Sequence, residues 1–180
     1  MRALIILILS FFLINGCGSV KYGNLHKSND YQKIELLKKE LATLSNNKQE
    51  IQELAALAIT KPRELANRYN LATPPQYHNF LVNSGQRSRG LCYHFVQDIQ
   101  SEINSRNFKS FSFKWGVANQ NRLNEHNVIV VMPKNGGDFR DGVILDGWRD
   151  SGELFFCKVK DDTEYNFKEW KEGSKKLSSY

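Results

Sequence analysis

His126-Asn127-Val128-Ile129-Val130-Val131-Met132, followed by Asn135-Gly136-Gly137 and then by Gly142-Val143-Ile144-Leu145-Asp146, is the stretch on which the fold turns. Each apolar run carries hydrophobic side chains at consecutive positions, the pattern of a strand covered on both faces. Asn135-Gly136-Gly137 is a turn signal, and strands joined so closely run antiparallel. A turn centred on Gly136 sets opposite each other residues whose numbers sum to 272, which stands His126 directly across from Asp146. A slip of one residue would send the two to opposite faces of the sheet.

Outward from this pair the second half continues as sheet. Phe111, Phe113, Trp115 and Val117 alternate with Ser110, Ser112, Lys114 and Gly116, a strand with one buried face, and a last strand is expected over Glu153 to Val159. The first half is helical. Ile34, Leu36, Leu37, Leu41 and Leu44 follow Asp30 at helical spacing, and Ile51, Leu54, Leu57 and Ala58 mark a second helix that Lys61-Pro62 is expected to break. A piece from Arg63 to Tyr69 and a segment with Tyr77, Phe80 and Leu81 come next. Helices first and strands after, with connections too short for helical crossovers, predict an α+β domain with an antiparallel sheet over residues 30–180. Within it, residues 30–85 form the helical part, 86–160 the core, and 161–180, with Lys168, Lys171, Lys175 and Lys176, a solvated basic tail.

Composition fits one globular domain. The 180 residues include 41% apolar and 12% aromatic side chains, with only 12 Gly and 4 Pro, which excludes collagen-like and disordered chains. Three cysteines cannot make a disulfide scaffold, although Cys92 and Cys157 could pair. The mild basic excess comes without a nucleic-acid motif or an aromatic-basic platform, so no nucleic-acid partner is expected. No phosphate-binding glycine loop or dinucleotide fingerprint is present, and no cofactor is expected. Cys92 and His94 stand two apart, which on a helix points them in divergent directions and argues against a metal site.

The chemistry-bearing segment is Gly85-Gln86-Arg87-Ser88-Arg89-Gly90-Leu91-Cys92-Tyr93-His94-Phe95-Val96. A helix beginning near Ser88 or Gly90 places Cys92, Phe95, Val96, Ile99 and Ile103 on one stripe, with Cys92 in the first turn. There the helix dipole and free N–H groups favour a thiolate. The order Cys92, His126, Asp146 is then nucleophile, base and orienting carboxylate, the carboxylate holding the imidazole tautomer.

Cysteine at a helix N-terminus, followed by histidine and aspartate on neighbouring strands, resembles the transglutaminase-like branch of the papain-like cysteine superfamily. The resembling stretch runs from Gln86 to Gly152. That resemblance implies Cys92 as nucleophile, His126 as base, Asp146 as orienter, Gln86 as an oxyanion-hole amide and Trp148 as an aromatic shield over the triad. Tyr93 replaces a tryptophan of the papain pattern, and the helical first half has no counterpart in it. Glu125-His126-Asn127 and Leu145 to Leu154 also resemble segments of uncharacterised proteobacterial lipoproteins.

The N-terminus supports an envelope location. Met1-Arg2 and the apolar run Ala3 to Ile14 form a signal sequence over residues 1–16, shorter than the roughly 20 apolar residues a membrane span needs. Leu13-Ile14-Asn15-Gly16-Cys17 resembles the lipobox of bacterial lipoproteins, which implies cleavage before Cys17 and lipid on its thiol. Residues 17–29 then form a tether, and Gly18 in place of an acid favours the outer membrane by the bacterial sorting pattern. The expectation is a lipid-anchored, periplasm-facing thiol enzyme acting on a peptide, protein or peptidoglycan-peptide amide. Two readings stay open beside it, a transglutaminase-type acyltransferase and a non-catalytic lipoprotein that binds an envelope partner.

Overall fold

The structure is a computed structural model and describes residues 27–171. The signal sequence, Cys17 and the end of the basic tail lie outside those residues. The described residues build four α-helices, α1 (Lys27–Leu41), α2 (Lys48–Arg68), α3 (Pro75–Asn83) and α4 (Cys92–Arg106), then β1 (Phe111–Ala118), β2 (His126–Pro133), β3 (Val143–Asp150), β4 (Glu153–Phe155) and β5 (Lys168–Glu169). The five strands form one antiparallel sheet in the order β4-β3-β2-β1-β5, so the protein is α+β.

The consecutive apolar residues of β2 and β3 have a direct cause, because both faces of the sheet are covered. Ile129, Val131, Val143 and Leu145 pack with Leu37, Leu54, Leu65, Phe95 and Ile99 of the helices. Val128, Val130 and Ile144 on the opposite face pack with Val159 and Phe167 of the C-terminal segment. Burial of side chains of this size contributes about 1.5–3 kcal/mol each, which makes the β2–β3 pair the centre of the fold.

Pro62 does not break the chain: α2 runs through it without interruption. Tertiary packing outweighs the local preference, since the Pro62 ring fills the space left by the missing side chain of Gly147, where a Cβ would come within 2.9 Å of Pro62 Cβ and 3.1 Å of Phe95. The neighbouring Arg63 donates to Asp30 at 2.6 Å and to Glu153 at 2.7 and 3.0 Å, tying α1, α2 and β4 together. At the other end of α2, Asn47 caps the helix by accepting from Glu50 N–H. The Glu50 carboxylate in turn accepts from the backbone of Lys109 and Ser110 at the entry to β1.

Two strand expectations need correction. The β2–β3 partners Ile129–Leu145, Val130–Ile144 and Val131–Val143 have numbers that sum to 274, so the connection centres on Gly137 rather than Gly136. It is no two-residue hairpin, because a 3₁₀ turn at Phe139–Asp141 lengthens it. The last strand stops at Phe155, yet the chain stays beside β3 through Ile144 N–H to Cys157 C=O (2.8 Å) and Val159 N–H to Gly142 C=O (2.9 Å). Residues 161–171 are not a solvated tail. They carry Phe167 into the core and supply β5, which pairs with β1.

Candidate active site

α4 starts at Cys92, two residues after Gly90, and its apolar stripe Cys92, Phe95, Val96, Ile99 and Ile103 is buried as the spacing predicts. Two histidines pin the turn that delivers the thiol. His78 accepts the Ala72 N–H on Nδ1 (3.1 Å), so its Nε2–H donates to the Arg89 carbonyl (2.8 Å). His94 lies buried and accepts the N–H groups of Gly90 (3.1 Å) and Leu91 (3.2 Å) on Nδ1. Both rings must be neutral to accept there. Burial, helped by the Arg89 charge, pushes His94 down to about 4, and burial likewise lowers His78. Gly90 makes the turn possible, with φ +123° and no room for a Cβ against the His78 ring.

His126 and Asp146 meet, although not by direct opposition. The two-residue change in register keeps both on one face, and His126 Nε2 lies 2.6 Å from Asp146 Oδ2. Asp146 is fully buried and accepts three further hydrogen bonds: on Oδ1 from the N–H groups of Trp148 (3.0 Å) and Arg149 (3.1 Å), and on Oδ2 from Arg149 Nε (3.1 Å). A carboxyl facing four donors is a carboxylate, so His126 Nε2 carries the proton between them. Burial opposes the charge on Asp146, but the His126 and Arg149 charges outweigh it and lower its pKa.

The other ring nitrogen of His126, Nδ1, is buried without a hydrogen bond of ordinary geometry. With Nε2 held by Asp146, Nδ1 is the nitrogen the Cys92 sulfur can engage. Burial disfavours the imidazolium, but the Asp146 charge and side-chain interaction with Cys92 overcome it and raise His126 to about 9. The ring is walled in by Tyr165 (4.6 Å between centroids), Trp148 (4.9 Å) and Phe167 (5.6 Å). The Trp148 indole is itself held by Asn79 Oδ1 at 3.2 Å.

Of the residues singled out by sequence, Cys92, His126, Asp146 and Trp148 come together, and Gln86 does not. Gln86 is exposed and its amide donates to the Ser84 hydroxyl at 2.9 Å. Cys92 and Cys157 are both free thiols, so they form no disulfide.

Several residues with no signal in the sequence complete the arrangement. Arg149 spans Asp146 and Asp162, the latter at 2.6 Å, with its guanidinium 3.9 Å from the Phe155 ring centre and 4.8 Å from that of Tyr165. Asn127 directs its Nδ2 at the Cys92 sulfur, 3.7 Å away. Among the described residues no three His, Cys, Asp or Glu side chains gather as a metal site requires. No protein-family model matches the chain, nor does any curated protein or solved structure.

Proposed function

We propose that this chain is a thiol enzyme of the Cys-His-Asp type, similar to the transglutaminase-like branch of the papain-like superfamily, that transfers acyl groups through a thioester on Cys92. The observation that carries the reading is His126, fixed by Asp146 through Nε2 and left with Nδ1 for the thiol at the first residue of a helix. His126 takes the thiol proton, and Asp146 stabilises the imidazolium so formed. Cys92 Sγ then bonds to an amide carbonyl carbon, whose π pair moves to oxygen. Collapse of this tetrahedral species breaks the C–N bond as His126 Nδ1 returns its proton to the leaving amine. Water attacks the thioester in the second half, giving its proton to His126, and the acid leaves as the thiolate–imidazolium pair is restored.

Water as acceptor makes the enzyme a peptidase or amidase. The lipobox-like Cys17 adds the setting, a lipid anchor facing the periplasm with the outer membrane favoured, and peptide, protein or peptidoglycan-peptide amides as substrates.

The test is labelling of the full chain with iodoacetamide at pH 7, with modification at each cysteine read by peptide mass spectrometry. Cys157 is an internal reference, since burial, and then Asp162, push its thiol up to about 11. Cys92 is expected to label at least tenfold faster than Cys157 and to lose that advantage in His126→Ala. Slow labelling indifferent to His126 refutes the enzyme reading and favours the partner-binding lipoprotein.

A further inference from the structure

An acyl-transfer site needs a donor aimed at the oxygen that becomes negative, and Gln86, exposed and bonded to Ser84, is not placed to supply it. Asn127 is placed differently. It follows His126 on β2, so the two side chains leave opposite faces of the strand, the imidazole toward Asp146 and the carboxamide toward α4. The Cys92 sulfur lies 3.7 Å from that amide and 3.8 Å from the Glu125 carbonyl, and it also interacts with the His126 side chain.

The orientation of that amide is determined by its neighbours. The Trp115 indole can only donate, and it does so to Asn127 Oδ1 at 2.6 Å, which identifies the remaining atom as the NH₂ group. One N–H is taken by the Glu125 carboxylate at 3.1 Å, and Nδ2 lies 3.7 Å from Cys92 Sγ. Asn127 is itself buried, so this donor is held in a water-poor setting before any substrate arrives. The backbone N–H of Cys92, as the first residue of α4, has no intrahelical acceptor and is a second donor within the same residue as the sulfur.

We infer that the Asn127 carboxamide, with the Cys92 N–H, forms the oxyanion hole, and that Trp115 is the positioning residue that keeps the amide turned toward it. The assignment rests on the acyl-transfer reading of Cys92 above. A donor nearly 4 Å from the sulfur in the resting enzyme can come within hydrogen-bond reach of an oxygen two bonds out from it, because the C–S and C–O bonds of the tetrahedral species extend toward it.

Two electrophiles separate this role from support of the thiol. Iodoacetamide is attacked at a saturated carbon: Sγ–C forms, C–I breaks, iodide leaves and no oxyanion arises. 4-Nitrophenyl acetate is attacked at a carbonyl: Sγ–C forms, the π pair moves to oxygen and returns as 4-nitrophenolate leaves, so the thioester forms through an oxyanion. Both rates are measured on the full chain. Asn127→Ala is expected to slow acylation by about a hundredfold or more while changing alkylation by less than threefold. Trp115→Phe, which keeps the amide and releases its orientation, is expected to slow acylation alone by a smaller factor. His126-dependent alkylation of each variant shows that its site is folded, and Trp115→Phe decides the matter if Asn127→Ala lacks it. Acylation and alkylation falling in parallel in both variants, or acylation unchanged in both, overturns the assignment while leaving the enzyme reading intact. A wild-type protein that alkylates but is not acylated overturns the enzyme reading and the oxyanion hole with it.

Discussion

Replacing Arg149 with methionine removes a cation that joins the candidate triad to the C-terminal segment. Its guanidinium is about 10% exposed and contacts two buried carboxylates, Asp146 at 3.1 Å and Asp162 at 2.6 Å, whose side chains are 0% and 1% exposed, besides the exposed Glu164 at 3.6 Å. Asp146 keeps His126 and two backbone N–H donors, so the larger loss falls on Asp162, which keeps only the N–H groups of Glu164 and Tyr165. Removing one partner of a buried pair costs about 3–5 kcal/mol, because the charge left behind stays out of water. In a chain of this size each kcal/mol moves the midpoint by about 2–4 °C, so Arg149→Met is expected to lower Tm by roughly 6–20 °C in differential scanning calorimetry. Neutralising the stranded carboxylate identifies the cause, since Arg149→Met combined with Asp162→Asn is expected to recover part of the loss. A fall of less than about 3 °C, or a double variant no better than the single one, would refute the view that Arg149 clamps the segment by charge.

His126 offers a pH signature with a definite sign. Its pKa is raised from 6.5 to about 9, so the ion pair with Asp146 contributes its full stability below about pH 6.5 and loses it as pH rises through 9. Ring ¹⁵N shifts are expected to show His126 still protonated at pH 8, and Asp146→Asn to lower the titration, since burial is then opposed by Cys92 without the carboxylate; a wild-type midpoint near 6.5 would contradict the pairing. Two glycines of the turn before Cys92 make a contrast, since a Cβ on Gly90 would lie 2.2 Å from His78 Nε2, whereas one on Gly85 meets nothing within 4 Å. Gly90→Ala is expected to lower Tm well beyond Gly85→Ala, whose penalty is the positive φ alone, about 1–2 kcal/mol, and equal shifts would show that His78 does not support the turn.

What sequence could reveal depended on how local the cause was. The double-sided apolar runs of β2 and β3 and the stripe of α4 were legible because burial acts on each residue directly. The pairing of His126 with Asp146 was also legible, for a reason more forgiving than the one that suggested it. Side chains alternate with period two, so a register wrong by two residues still puts the same residues on the same face. Pro62 misled because its local cost is offset by a cavity at Gly147, some 85 positions away, that no window around the proline contains. Gln86 and Asn127 misled together: an amide at a familiar offset from the cysteine drew attention, while the amide that reaches the sulfur arrives by strand pairing. Residues 161–171 looked like a solvated run because six of these eleven residues are charged, yet Asp162, Tyr165 and Phe167 are the ones that dock.

These long-range causes converge on one four-residue segment. Asp146 orients the imidazole, Gly147 admits Pro62 of α2 and Phe95 of α4 against the sheet, Trp148 covers His126, and Arg149 draws in Asp162. The Asp162 anchor in turn brings Tyr165 and Phe167 over the histidine, and the dry environment so made acts on the ring twice, opposing its charge by desolvation and strengthening the Asp146 interaction that outweighs it. Packing of the helices, docking of the C-terminal segment and protonation of His126 are therefore one coupled equilibrium. A substitution that loosens Phe167 or Arg149 should change the reactivity of a thiol it never touches, and energies measured one at a time around this segment will not add.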